Sequence, residues 1–233
     1  LAQRGDVEGA LEKKIKAYLN STIGTSNFQS LDKLLFTPSG TQTFTSDGTF
    51  TVPSGVTKIL VTAFGGGGGG DRYDIGGGQG GDRVIKKAYP VAPGTVIPIT
   101  IGKGGARASD GGATVIGNIV TLAGGGKGGS PKSHSGSLGG PADMNGMDSP
   151  MANGGLRGSD TYYSGNKYSG GGGGGGGYGQ GGNGGYATTG SYAGDGKKGG
   201  IGAGGGAGGK ARDGSSYHGD GGAGGDGIVI IEW

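Results

Sequence analysis

The sequence has no cysteine, which excludes a disulfide framework and a thiolate metal site and leaves the redox compartment unencoded. It has two histidines, His134 and His218, each in a polar, glycine-flanked segment that reads as a loop. A zinc centre or a hydrolase triad needs more convergent partners than these, so both are read as solvated loop residues. Apolar residues make up only 30% of the chain, enough for one modest core. No apolar run approaches the length that spans a bilayer, so no membrane insertion is expected. Neither sign of charge dominates. The 20 basic and 17 acidic residues leave +3, too balanced to argue for a nucleic-acid partner. The opening Leu1-Ala2-Gln3-Arg4-Gly5-Asp6 lacks an initiator Met and the apolar centre of a signal peptide, and it reads as the start of a fragment or processed chain.

What the chain does have is glycine, 68 residues of 233. Glycine at this level usually means low complexity. Here it comes in runs, and β patterns lie between them. Two domains are expected: a helical attachment segment over 1–40 and a glycine-rich domain over 41–233. In the first, Asp6 is the expected N-cap of a helix over 6–20, with Val7, Leu11, Ile15 and Tyr18 on one stripe. Such a helix is marginal alone and should dock on something. In the second, short strands are expected over 41–45, 49–52, 56–64, 82–89, 95–101, 113–116, 118–122 and 228–233. Ser46-Asp47-Gly48 reads as a hairpin turn between the first two. Strands within 41–123 and at 228–233 would form a small antiparallel β-sandwich.

The glycine-rich segments, mainly 65–81 and 124–227, carry a second period. Gln180, Asn183 and Tyr186 recur every third residue with glycine between. Asp220, Ala223 and Asp226 do the same, as do the pairs Gln79/Asp82, Lys127/Ser130 and Ala207/Lys210. A period of three fits the left-handed polyglycine II helix, with a rise of ~3.1 Å per residue. Its bare edges let neighbouring backbones approach and hydrogen-bond. The expected fold is therefore all-β: an antiparallel sandwich carrying a bundle of polyglycine II helices, preceded by a short α-helix.

Several motif matches have plainer explanations. Gly65–Gly70 after a strand matches the dinucleotide-binding pattern, but no helix opens there and any hexaglycine would match. No Gly-Lys pair is followed by Ser or Thr, so there is no P-loop. Gly77–Ile85 and Gly221–Val229 fit the calcium-binding nonapeptide, with Asp82 and Asp226 as ligands. That site needs stacked tandem copies, and a glycine run entering a strand accounts for both. Arg4-Gly5-Asp6 spells an integrin tripeptide, but Asp6 already has a capping role. No metal, cofactor or catalytic residue is expected. A depolymerase would need a carboxylate pair in a groove, and sequence alone does not bring Asp160, Asp195, Asp213 or Asp220 together.

The tyrosines are more informative. Seven of ten lie between 156 and 218, among Ser, Gly, Asn and Asp: Tyr162, Tyr163, Tyr168, Tyr178, Tyr186, Tyr192 and Tyr217. This is the composition of a binding loop. Any one ring could instead shield glycine backbone from water. As a set they point to binding, because apolar groups at loop tips mark interaction sites. The candidate contact residues are Tyr162, Tyr163, Lys167, Tyr168, Tyr186, Tyr192, Arg212, Tyr217 and His218.

Phe50-Thr51-Val52-Pro53-Ser54-Gly55-Val56, then Ile59–Phe64 running into Gly65–Gly70, resembles the glycine-rich domain near the ends of phage and prophage tail fibres. Ala92-Pro93-Gly94-Thr95, Ile99-Thr100-Ile101-Gly102 and the ending Gly225–Trp233 fit the same ordered series over 41–233. The chain is also similar to the polyglycine II tip adhesins of T-even-type phages. That resemblance implies a virion tail-fibre tip adhesin without enzymatic activity, whose distal loops bind a bacterial outer-membrane protein or surface glycan. Residues 1–40 would then attach to the fibre shaft protein. The competing reading is a structural fibre spacer or an ice-binding polyglycine II protein. Long, dissimilar, Tyr-rich loops disfavour it.

Overall fold

The computed structural model describes residues 39–72, 76–128, 161–163, 166–168, 174, 177–189, 192–210 and 218–233, together with 13, 14 and 17. The chain divides into two units, Leu1–Gly40 and Thr41–Trp233. The helix expected over 6–20 lies, apart from Lys13, Lys14 and Ala17, outside the described residues.

Thr41–Trp233 is all-β, and no helix forms among its described residues. The strands are β1 (Thr41–Phe44), β2 (Gly48–Thr51), β3 (Lys58–Phe64), β4 (Arg83–Pro90), β5 (Val96–Thr100), β6 (Thr114–Ile116), β7 (Val120–Leu122), β8 (Thr161–Tyr163), β9 (Asn166–Tyr168) and β10 (Ile228–Glu232). Two four-stranded antiparallel sheets run in the orders β1-β10-β3-β4 and β2-β5-β6-β7. Alternate residues of both sheets meet in one core. Ile59, Val61, Ala63, Val229 and Ile231 come from the first sheet, and Phe50, Ile97, Ile99, Ile116 and Leu122 from the second. Trp233 closes one end, its ring 5.2 Å from that of Phe50.

One pairing differs from expectation, and two further features shape the sheets. Thr41–Phe44 and Gly48–Thr51 do not form a hairpin, because β1 pairs with β10 and β2 with β5. Ser46-Asp47-Gly48 is a corner between the sheets, fixed where the Asp47 carboxylate accepts the Ile101 N–H at 2.7 Å. The last strand, β10, lies inside its sheet between β1 and β3. Finally, β3 and β4 pair through a bulge between Val61 and Ala63. There Lys86 takes a positive φ of 45°. Its N–H, displaced from the ladder, donates to the Thr62 hydroxyl at 3.0 Å.

The glycine runs are neither strand nor helix in their hydrogen bonding. Run 65–70 continues β3 away from the sheet. Successive N–H groups donate to different neighbours, and every third returns to the same one. Gly65 and Gly68 donate to Asp82 and Gln79, Gly66 and Gly69 to Gly112 and Ser109, Gly67 and Gly70 to Gly225 and Gly222. The carbonyls repeat this with three further segments. Gly66 and Gly69 accept from Gly125 and Gly128, Gly67 and Gly70 from Gly105 and Ala108, Gly68 and Asp71 from Gly205 and Gly208. Six segments therefore surround one buried run. The three that accept from it run antiparallel to it, and the three that donate to it run parallel.

Run 202–209 is buried in the same way, bonded to segments around 68–71, 194–197, 182–185 and 219–225. Side chains are excluded from both runs by the backbones around them. A Cβ at Gly65 or Gly68 would strike the carbonyl of Ala123 or Gly126, and one at Gly67 or Gly70 that of Ala203 or Gly206. One at Gly205 would strike the Gly222 carbonyl.

The bundle joins the sandwich at Thr114, which is fully buried. Its hydroxyl donates to the Phe64 carbonyl at 2.8 Å and accepts the Gly102 N–H at 3.0 Å. The Gly227 N–H donates to the Gly102 carbonyl at 2.8 Å. Three places where strand changes to glycine run are thus tied together. Phe64 lies outside the sandwich core and meets Tyr178 edge-on, ring centroids 5.6 Å apart.

Candidate functional site

The hydrogen-bond register sets the course of each run. Run 179–187 leads away from the strands, and 192–200 returns beside it through Gly194→Tyr186, Lys197→Asn183 and Gly200→Gln180. A turn at Ile201–Gly202 lies against Phe64 at the base. Run 202–210 then rises beside 65–71, and 218–227 descends into β10. One end of the bundle thus adjoins the sandwich. The other gathers 71–72, 106–110, 127–128, 186–189, 192–195, 208–210 and 218–220.

At this distal end Arg72 Nε and Arg107 Nη1 each lie 2.6 Å from Asp220 Oδ1. The Asp220 carboxyl is held below the usual carboxylate range, first by the Arg72 hydrogen bond and then, against a partial desolvation cost, by the charge of Arg107. The Asp220 N–H donates to the Asp195 carboxylate at 2.8 Å. The Asp110 carboxylate accepts the Lys127 N–H at 2.8 Å. These bonds tie together turns that are distant in sequence. At the base, Asp226 has a different role. Its carboxylate accepts the Gly104 N–H at 2.8 Å and meets Lys103 Nζ at 3.3 Å, which also keeps it ionised below the usual range.

Of the nine residues expected to bind, the structure places three at the distal end with described side chains. Tyr186 and Tyr192 are exposed there, and His218 is half-buried. Tyr162, Tyr163, Lys167 and Tyr168 do not lie on an irregular loop. They pair in the antiparallel hairpin β8–β9, with Tyr162 opposite Lys167 and Thr161 opposite Tyr168. Two β-prone triplets around Ser164-Gly165 carried that signal in the sequence. Arg212 and Tyr217 lie outside the described residues. Tyr178 is at the base, where its ring covers Phe64.

Asp195 and Asp220 do come together, but as hydrogen-bond partners of backbone and arginine. Asp160 and Asp213 lie outside the described residues. Among the described residues no group of three or more His, Asp or Glu gathers that could hold a metal ion. The carboxylate of Asp226, a ligand in the nonapeptide pattern, is occupied by Gly104 and Lys103. The residues missed in the sequence are Arg72 and Arg107, which stand 148 and 113 positions from the carboxylate they grip.

An all-β domain whose strands anchor interbonded glycine runs is the class this arrangement defines. The family model for the glycine-rich domain matches residues 41–233, and the chain belongs to that family. A search among curated proteins gives no match.

Proposed function

We propose that this chain is the tip adhesin of a phage tail fibre, in which a polyglycine II bundle holds receptor-binding loops away from the sandwich. The observation that carries the reading is the register of the runs. Dissimilar segments, with Tyr186 and Tyr192 exposed among them, lie at the end of the bundle opposite the strands, where they can change without disturbing the core. The threefold assignment is supported by bonds that return to the same neighbour at every third residue. Its left hand is supported by the glycine torsions, since within the described runs only Gly76 and Gly202 have positive φ. A structure at atomic resolution with run torsions in the strand region would end that assignment.

The receptor would be an outer-membrane protein or a surface glycan, bound without covalent chemistry. Residues 1–40 would join the fibre shaft, so deleting 1–24 should leave the domain folded and abolish incorporation into particles. A plain spacer or ice-binding bundle would want short uniform connections, and the clasped, dissimilar distal segments argue against it.

The test is binding of the purified chain to intact bacteria and to separated envelope proteins and glycans. Replacing Tyr162, Tyr163 and Tyr192 with Ala should weaken cell binding at least tenfold, since a few aromatic anchors carry most interface energy. Equal binding by parent and variant, with unchanged melting, would remove the tip from consideration.

A further inference from the structure

The N–H, the carbonyl and the carboxylate of Asp220 are all engaged, and they reach three other parts of the chain. The carboxylate accepts from Arg72, just beyond run 65–70, and from Arg107, in the turn 106–110. The N–H donates to the Asp195 carboxylate at 2.8 Å, and the carbonyl accepts the Gly196 N–H at 2.8 Å. Segments 71–72, 106–107, 195–196 and 218–220 therefore meet at one residue. The link continues to exposed aromatic rings. The Gly194 N–H donates to the Tyr186 carbonyl at 2.9 Å, and the Tyr186 ring lies over Gly194, where an added Cβ would strike it. Tyr192, three positions before Asp195, is also exposed. No buried apolar side chain larger than alanine stands at this end among the described residues. Polar contacts, not a core, fix how these segments sit relative to one another.

We infer that Asp220 is the positioning residue of the tip, holding the roots of four distal segments in one arrangement so that the rings they carry are presented to a receptor as a fixed set. The inference rests on the tip-adhesin reading. Its physical ground is pre-organisation. A surface ordered before contact loses less freedom on binding, and the saving appears as affinity. The clasp suits that role better than it suits stabilisation. Its side chains are 40–50% exposed, and exposed ion pairs add little to folding. Yet the residues it joins are more than a hundred positions apart, and both guanidinium groups meet a single carboxylate oxygen. Removing that oxygen frees two turns at once while the buried runs keep their own bonds.

Binding of the whole chain to intact bacteria, read beside amide exchange and the thermal midpoint, tests it. Asp220→Ala should weaken cell binding about tenfold. The midpoint should fall by no more than about 4 °C, as for the loss of an exposed pair. Exchange should quicken at Ala108 and Ser109 and stay slow at Gly66 and Gly205, since only the turn is released. Arg107→Ala, which leaves the backbone contacts of residue 220 in place, should give a similar loss of binding. The double variant should be no worse than either alone, because both act through one clasp. Lys103→Ala, which opens the ion pair with Asp226 at the base, should leave cell binding unchanged. Parent-like binding by both clasp variants overturns the positioning role and leaves the tip reading standing. So do losses that add in the double variant, which would make Asp220 and Arg107 receptor contacts. Unfolding of both variants at the temperature of the assay makes the clasp structural and overturns the role as well. A parent chain that binds no cells removes the tip reading, and the positioning role with it.

Discussion

In the sandwich, side chains hold the chain together and the backbone ladder follows. In the glycine bundle, the backbone does both. The sandwich core is made of Phe50, Ile59, Val61, Ile99, Ile116 and Ile231, in a chain with few apolar residues to spare. Sheets cannot pack without such residues, since each must bury a face. The bundle buries almost no side chain in runs 65–70 and 202–209 apart from Ala203 and Ala207. Its cohesion comes from hydrogen bonds at close backbone approach, each contributing about 1 kcal/mol net. Against this stands glycine's large entropy loss on ordering. The difference explains why the bundle is anchored. Glycine runs that would be disordered alone are tied to strand ends at Phe64, Gly102 and Gly227, so the sandwich sets their register.

The two regions should respond differently to substitution. The largest effect is expected at buried run glycines. Gly205→Val or Gly224→Val places a branched side chain on the Gly222 or Gly67 carbonyl. The loss should exceed about 4 kcal/mol, or prevent folding, as expected for backbone displacement in a packed interior. Gly55 is the control. It has a turn conformation, φ 82°, and nothing within 4 Å of an added Cβ. Gly55→Ala should cost only about 1–2 kcal/mol, from left-handed strain. Equal losses at Gly205 and Gly55 in chemical denaturation would show that close packing of runs is not what stabilises the bundle.

Next comes the sandwich. Ile231→Ala should cost about 2–5 kcal/mol by loss of burial and a residual cavity. If bundle and sandwich form one cooperative unit, amide exchange at Gly65–Gly70 should accelerate together with that of β3 and β10. Exchange that accelerates only in the strands would separate the two regions.

The seam is third. Thr114→Val keeps the shape of the side chain but strands the Phe64 carbonyl and the Gly102 N–H. The expected cost is about 1–3 kcal/mol, the range for buried groups left unpaired. Thr114→Ser should restore most of it. A Val variant as stable as the parent would show that the hydroxyl is dispensable at the junction.

How much of this was legible in the sequence follows from range. All eight strands of the sandwich were legible locally, and 56–64 through a period of two, with Ile59, Val61 and Ala63 pointing inward. Their pairing did not. Thr41–Phe44 and Gly48–Thr51 sit beside each other in sequence and look like a hairpin, yet each is better satisfied by a partner in a different sheet. The carboxylate of Asp47 makes that corner, and its acceptor role toward Ile101, 54 positions on, has no local signature. The period of three was visible in Gln180, Asn183 and Tyr186. Which run lies beside which was not, because glycine carries no side-chain information about its neighbours. The arginine clasp on Asp220 was hidden for the same reason. The hairpin β8–β9 was legible and overlooked, since glycine and serine around it suggested a loop.

The smallest expected effect distinguishes the two carboxylate anchors of the bundle. Asp220 at the distal end and Asp226 at the base both have carboxyls held below the ordinary value of 3.8. A depressed folded-state value means that each contributes stability above the ordinary carboxylate range. That contribution is lost as pH falls through the lower folded value, when the proton displaces the partner. The partners differ. Asp220 is held chiefly by guanidinium groups at a half-exposed site, and Asp226 chiefly by the Gly104 N–H. Added salt screens the first kind of contact and has little purchase on the second. The thermal transition of Asp220→Asn should therefore lie slightly below that of the parent at neutral pH, by less than about 1 kcal/mol in stability, as is usual for exposed pairs. The gap should close both at molar salt and below about pH 4. For Asp226→Asn, whose amide oxygen can still accept the Gly104 N–H, the gap should be smaller and close with acid, with only a minor salt response through Lys103. A salt response equal for the two variants would mean that the arginine clasp and the backbone anchor hold the bundle by the same electrostatics. The distal end would then be no more adjustable than the base.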